Sequence, residues 1–289
     1  MICGDSTADL VREAAELAGG EVDLPAIGVC LAGLIVLAIW LCRYDGPRAL
    51  AQAPVRRHGV SVWLAFLLFV VWIVVLSLTH EAIGTVFESG DEAGLVAGRN
   101  IMMLVLDVVM IAVMVAVGHF LFARRLKGFG LNPKTLPRDA GWAAVNLAAV
   151  YPLIMVGVAA ALFAGRLFKG DDFAIETHQS LAELDEFGQL WVRIIVIFLV
   201  VGVVPVFEEM LFRGLMQSAL RTLLPGVWPA VLATSALFAI IHSPTHALGI
   251  FALSCGLGYA YERSGSLFRP ILMHIFFNAI SVAASLLMG

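Results

Sequence analysis

Residues 190–214 read LWVRIIVIFLVVGVVPVFEEMLFRG, and they carry the strongest indication of the fold class. Leu190 to Val206 is almost entirely apolar, as expected of a helix that crosses a bilayer. Lipid cannot satisfy backbone N–H and C=O groups, so such a segment must be helical. Two adjacent carboxylates, Glu208 and Glu209, follow directly, with Arg213 one turn later. Charged side chains at membrane depth are costly, which makes these three candidates for a functional site.

The rest of the chain has the same apolar character. Of its 289 residues 61% are hydrophobic and 14% are charged, against roughly 25% charged in soluble domains, which excludes a soluble enzyme. At about 20 residues per crossing the chain has room for roughly eight spans, and the long runs without alternation exclude a β-barrel. We therefore predict an all-α, polytopic transmembrane helical bundle. Its predicted spans are Leu24–Cys42, Val60–Leu78, Ile101–Ala123, Trp142–Ala164, Leu190–Val206, Val227–Ile241, Ala247–Tyr261 and Phe268–Met288.

Three regions follow from this pattern. Residues 1–23 form a polar, mostly acidic N-terminal segment that lacks the positive start of a cleaved signal. Residues 24–189 hold four membrane helices and a polar stretch in which Leu181, Leu184 and Phe187 favour a short amphipathic helix on the membrane surface. A plain connecting loop is the alternative. Residues 190–289 hold the remaining spans.

The few charges outside the spans predict orientation. One set of loops is basic and the alternate set is acidic, and basic loops face the cytoplasm. Both termini are then expected outside. The net charge of −4 is divided among short loops, so no nucleic-acid partner is expected. The basic residues are Arg43, Arg48, Arg56 and Arg57 in the first loop and Arg124, Arg125, Lys127, Lys134 and Arg138 in the second.

The spacing of the charged trio separates two roles. Glu209 and Arg213 are four residues apart with the acid first, the favoured order for a helical ion pair. Adjacent helical residues point about 100° apart, so Glu208 faces elsewhere. A plain ion-pair network at a helix end is the alternative interpretation of the trio.

Two further pairs at helical spacing lie in the last spans: Phe238 with His242, and His274 with Asn278. Glu208 and His242 are equally far along the chain from a break near Pro225, at roughly 25 Å for about 1.5 Å of rise per residue. An antiparallel hairpin would therefore bring the carboxylate and the imidazole to the same height. His274 would approach from a third helix at a somewhat different depth.

The motifs Glu-Glu-x-x-x-Arg, Phe-x-x-x-His and His-x-x-x-Asn, in this order over residues 190–289, resemble those of the CPBP family. This family comprises the CAAX prenyl endoprotease type II and bacteriocin-processing (Abi) intramembrane proteases. The resemblance implies a catalytic helical core that hydrolyses membrane-associated, prenylated or CAAX-like, or bacteriocin-type peptides. It implies Glu208 as general base, His242 as its partner on the water, and His274 and Asn278 as oxyanion donors. Glu209, Arg213 and Phe238 would be supporting residues.

Whether a metal takes part is open at this stage. Members are commonly named metalloproteases, and Glu208, His242 and His274 would supply three zinc ligands with an open fourth position. No HExxH motif is present, and a metal-independent glutamate mechanism is favoured. The chain is expected to be a multi-pass protein of the bacterial cytoplasmic membrane.

Two other classes of function compete with the protease. A non-catalytic membrane scaffold or immunity-type protein would bind a partner and cleave nothing. A secondary transporter would relay protons through the same side chains, but the repeated halves typical of transporters are absent from the sequence.

Overall fold

The computed structural model describes residues 24–288, apart from residues 45, 52, 87–91, 171 and 176–178. The polar segment 1–23 and parts of the acidic loops lie outside the described residues. Within them the regular structure is helical, with a lone antiparallel bridge between His58 and Phe122. The all-α prediction is confirmed. The helices are α1 (Leu24–Arg43), α2 (Val62–Val86), α3 (Glu92–Leu121), α4 (Arg125–Phe129), α5 (Leu136–Lys169), α6 (Gln179–Glu186), α7 (Leu190–Leu223), α8 (Val227–Ile240), α9 (Ala247–Ser264) and α10 (Phe268–Met288).

Each of the predicted spans coincides with one of these helices. Among the described residues, five helices are long and apolar enough to cross a membrane, namely α2, α3, α5, α7 and α10. Two further apolar stretches are shorter, Cys30–Arg43 within α1 and Val227–Ile240 of α8, and α9 is less apolar. The prediction of a polytopic helical bundle is therefore confirmed.

The two basic loops meet on one side of the bundle. The backbone N–H of Gly59 donates to the carbonyl of Leu121 at 2.8 Å, and that of Ala123 donates to the carbonyl of Arg57 at 3.0 Å. These bonds join the segment before α2 to the end of α3. The prediction that both basic loops share a side is confirmed, and the assignment of that side to the cytoplasm stays a prediction.

Helix α7 lies at the centre of the bundle. Its Phe207, Leu211, Phe212 and Leu215 side chains are fully buried in the largest apolar cluster, which also includes residues of α2 and α3. On another flank, α5 packs closely against α9. A Cβ added to Gly256 would lie 2.5 Å from a methyl carbon of Val150, so only glycine permits this approach. The central position of α7 places its charged residues away from lipid.

The segment with the predicted amphipathic helix is partly different from the expectation. The helix exists as α6, which is shorter than the polar stretch, and its Leu184 is fully buried among Val96 of α3, Val192 and Val196 of α7, and Val282 of α10. A position flat on the membrane surface would leave this side chain in lipid headgroups. Helix ends from three parts of the chain instead provide an apolar protein surface for it.

Candidate active site

Two π-helical stretches in α7 flank the adjacent carboxylates. Phe198–Val203 precedes and Met210–Gln217 follows the α-helical turn that carries Glu208 and Glu209. Proline removes a backbone donor and disturbs the helical ladder, and Pro205 is the second residue after the first stretch. Such wide turns are frequent at functional sites because they re-aim side chains.

Pro205 also explains what Asn278 does in the structure. In the first π stretch Val204 donates to the carbonyl of Leu199, so the next donor in this register would be Pro205, which has none. The carbonyl of Val200 therefore lacks its helical partner. The side-chain amide of Asn278 donates to it at 2.8 Å. Asn278 thus uses one of its two N–H groups to tie α10 to α7, and the second is left for another acceptor.

Glu209 binds two partners through one oxygen. Its Oε1 accepts from Nη1 of Arg213 at 2.7 Å and from Nδ1 of His274 at 3.0 Å. The side chains of Glu209 and Arg213 are completely buried, and Nη2 of Arg213 donates to Oγ of Ser254 at 2.6 Å. The predicted ion pair is confirmed. Because a carboxylate accepts the Nδ1 proton, Glu209 fixes the ring orientation and tautomer of His274.

Glu208 faces a different environment from Glu209, as predicted. Its Oε2 lies 3.8 Å from Nε2 of His274, and the residue retains 7% exposure. The contact of Glu208 with an imidazole is thus made with His274, whereas the sequence favoured His242 at equal height and put His274 at another depth. That count assumed a uniform α-helix, while a π stretch separates Glu208 from the turn at Pro225.

His242 is held by the helix end that precedes it. Its Nδ1 lies 2.7 Å from the carbonyl of Phe238, so the ring donates from Nδ1 and keeps Nε2 unprotonated. The two rings pack with centroids 4.6 Å apart. Burial lowers the pKa of His242 below its ordinary value, despite the opposing hydrogen bond. A neutral imidazole with a lone pair on Nε2 results.

Phe238 is the aromatic centre of the site. Its ring contacts His274 with centroids 6.0 Å apart, and the Arg213 guanidinium lies 4.6 Å from its centroid. One aromatic side chain therefore packs against both imidazoles and the buried cation. The supporting role predicted for Phe238 agrees with these contacts.

The candidate residues open onto one cavity of about 980 Å³. Glu208, His242, His274 and Asn278 all line it, while Glu209 and Arg213 lie behind its wall. The N-terminal helices also contribute lining residues, which the sequence interpretation did not single out as part of a site. Arg99, a charge within the predominantly apolar helix α3, is the sequence feature that would have indicated them, and the sequence interpretation did not use it. These residues are Trp72, Leu76, His80, Arg99, Asn100, Met103 and Glu183.

Metal binding would need several ligand side chains around one position. Among the described residues no group of three or more His, Cys, Asp or Glu side chains is arranged to hold a metal ion. Nδ1 of His274 bonds Glu209 and Nδ1 of His242 bonds a backbone carbonyl, so each ring would bind a metal only through Nε2. As these side chains are placed, the candidate zinc set of Glu208, His242 and His274 does not bring three ligands together around one metal position.

The part of the chain that carries the three motifs resembles a known protein family. Residues 189–280 match a protein-family model described as type II CAAX prenyl endopeptidase Rce1-like. No curated protein and no solved structure matches the chain. The matched residues include all three motifs and exclude α1 to α6.

Proposed function

We propose that the chain is an intramembrane endopeptidase, from the premise that residues 189–280 are a domain of the type II CAAX prenyl endopeptidase Rce1-like family. One observation carries the proposal. Glu208, His242 and His274 come from three separate helical regions of the sequence and line the same cavity inside a membrane bundle. A protease needs a base, a water site and a donor for the oxyanion within reach of one another.

Glu208 acts as the general base. Of the two adjacent glutamates, Glu208 borders the cavity beside the imidazole of His274, whereas Glu209 already accepts hydrogen bonds from Arg213 and His274. It takes one proton from a water molecule as the oxygen attacks the carbonyl carbon of the scissile bond. The same proton then passes to the leaving amine, which completes the hydrolysis.

His242 orients the attacking water. Its Nδ1 proton is committed to the carbonyl of Phe238, which leaves the Nε2 lone pair as an acceptor. Water has two protons, so it can donate one to Glu208 and one to His242. This arrangement aims an oxygen lone pair away from both acceptors, toward a substrate in the cavity.

Asn278 and His274 stabilise the oxyanion. Asn278 has a second amide N–H besides the one that bonds Val200. The other ring nitrogen of His274, Nε2, donates when it carries a proton. Donors placed at the developing negative charge supply a large share of catalysis in acyl transfer.

The substrate class follows from the cavity and from the family. The cavity lies inside a bundle that crosses the membrane and is lined by both apolar and polar side chains. A membrane-associated peptide is therefore the proposed substrate, with prenylated CAAX-like and bacteriocin-type peptides as the classes to test. The bilayer is part of the working environment because it delivers such peptides laterally.

The test is cleavage in proteoliposomes of a farnesylated CAAX peptide, a bacteriocin leader peptide and a library of membrane peptides, read by mass spectrometry. Glu208→Gln is expected to reduce cleavage by about 10² or more, because a general base contributes roughly 10²–10⁴. Glu92→Gln, an exposed carboxylate at the start of α3, is the matched control. Cleavage by Glu208→Gln at the unmodified rate would show that Glu208 is not the base. Binding of the peptides without cleavage by the unmodified protein would favour the scaffold.

A further inference from the structure

The helices outside the matched residues place another buried carboxyl near the site. Asp107 of α3 is fully buried within a membrane-crossing helix. Its Oδ1 accepts a hydrogen bond from the indole Nε1 of Trp72, on α2, at 3.0 Å. Its Oδ2 has no hydrogen-bond partner among the described residues. A carboxyl at this depth is costly, so its retention calls for a specific role.

Trp72 connects this carboxyl to the catalytic turn. Its indole packs on the ring of Phe207 with centroids 4.9 Å apart and planes 36° apart, and Phe207 is the residue directly before Glu208. The same indole lines the cavity. Asp107 itself is close enough to Glu208 for the two carboxyls to interact electrostatically. A continuous set of contacts therefore runs from α3 through α2 to the turn of α7.

We propose that Asp107 and Trp72 are positioning residues for the Glu208 carboxylate, an inference that rests on the proposed function. Asp107 accepts the indole N–H and so fixes the plane of the Trp72 ring. The fixed ring supports Phe207, which is completely buried and cannot yield toward solvent. The turn that carries Glu208 is thereby held against the cavity. Two helices outside the family match would complete the geometry of the active site.

A hydrogen bond that merely joins α2 to α3 is the competing explanation. Such a tie would affect the free energy of unfolding and leave the catalytic step unchanged. A positioning role predicts instead a selective loss of kcat. It also predicts that the two residues act as one unit, since each works through the same indole orientation.

The experiment compares three single variants and one double variant of the full chain in proteoliposomes. Asp107→Leu removes the acceptor, Trp72→Phe removes the donor, and Asp107→Asn keeps an acceptor oxygen. The first two are expected to lower kcat roughly 3- to 10-fold, the equivalent of one net hydrogen bond, with KM nearly unchanged. Asp107→Asn should keep kcat close to that of the unmodified protein. The double variant, Asp107→Leu with Trp72→Phe, should be no slower than either of these two single variants. Trp63→Phe, at an exposed site on α2, is the matched control.

Three kinetic results would overturn the proposal. These are an unmodified kcat in Asp107→Leu, a loss in Asp107→Asn equal to that in Asp107→Leu, and multiplying losses in the double variant. Melting temperatures of all variants show which of them are folded at the assay temperature, because a lower kcat reports a positioning effect only in folded protein.

A second readout does not depend on cleavage. In protein labelled with 5-fluorotryptophan, the ¹⁹F resonance that Trp72→Phe removes belongs to Trp72. Asp107→Leu should shift or broaden it, Asp107→Asn should preserve it, and Phe207→Leu should shift it. If this pattern holds while no peptide is cleaved, the contact network stands and the proposed protease activity fails. If cleavage occurs but the Trp72 resonance neither shifts nor broadens in Asp107→Leu, then Asp107 does not position Trp72.

Discussion

Among the described residues, helices α7 to α10 bury more charged side chains than helices α1 to α5. In the first group Arg213 and His274 turn inward and both bond Glu209. In the second group large apolar side chains such as Phe120 and Phe163, with 79% and 71% exposure, point outward. An apolar side chain next to lipid tails is not penalised, whereas a polar one must find a partner.

The difference assigns separate tasks to the two groups. The later helices carry the proposed chemistry, and the earlier ones form much of the lipid-facing wall. The division is incomplete, since α2 and α3 contribute Trp72, Arg99 and Asn100 to the cavity. At the cavity Asn100 donates to Glu183 of α6 at 3.1 Å, so the segment between the groups is also attached there.

The strongest test of the inward-facing group is Arg213→Met. This change leaves the Glu209 carboxylate buried without its cation, and we expect a loss of about 3–5 kcal/mol in the free energy of unfolding. Thermal and denaturant unfolding in detergent would measure it. Arg124→Met removes an exposed cation and is expected to stay within about 0.5 kcal/mol. An equally small effect at Arg213 would mean that the buried ion pair does not stabilise the later helices.

A contact between the groups gives the next largest effect. Oδ1 of Asp139, on α5, accepts from Nη2 of Arg269, on α10, at 2.9 Å, and Asp139 is completely buried. Asp139→Asn is expected to reduce the free energy of unfolding by about 1–3 kcal/mol. Because neither residue lines the cavity, kcat should not change. A fall in kcat at unchanged stability would show that this side of the bundle is coupled to the site.

The smallest effect is expected on the lipid-facing wall. Phe163→Leu replaces one exposed apolar side chain with another and should alter the free energy of unfolding by less than about 0.5 kcal/mol. The same unfolding assay measures it. A loss well above 1 kcal/mol would indicate that this face of α5 packs against a protein partner and not against lipid.

Much of this arrangement can be predicted from the local sequence pattern. Composition predicts the membrane bundle, the apolar runs predict the helices, and the i,i+4 spacing predicts the bond between Glu209 and Arg213. These features depend on the helical period and on the solvent around it, both of which act within one segment. The three motifs likewise include Glu208, His242, His274 and Asn278, which line the cavity.

The specific contacts between helices could not be predicted from the local sequence pattern. The approach of His274 to Glu208, the bond from Asn278 to Val200 and the link from Asp107 to Trp72 each join helices that are remote in sequence. Their geometry depends on how far each helix is rotated and tilted, and on the π stretches that alter the turn of α7. Side-chain packing across the whole bundle sets those quantities. A residue count along the helices therefore did not predict that Glu208 lies against the imidazole of His274.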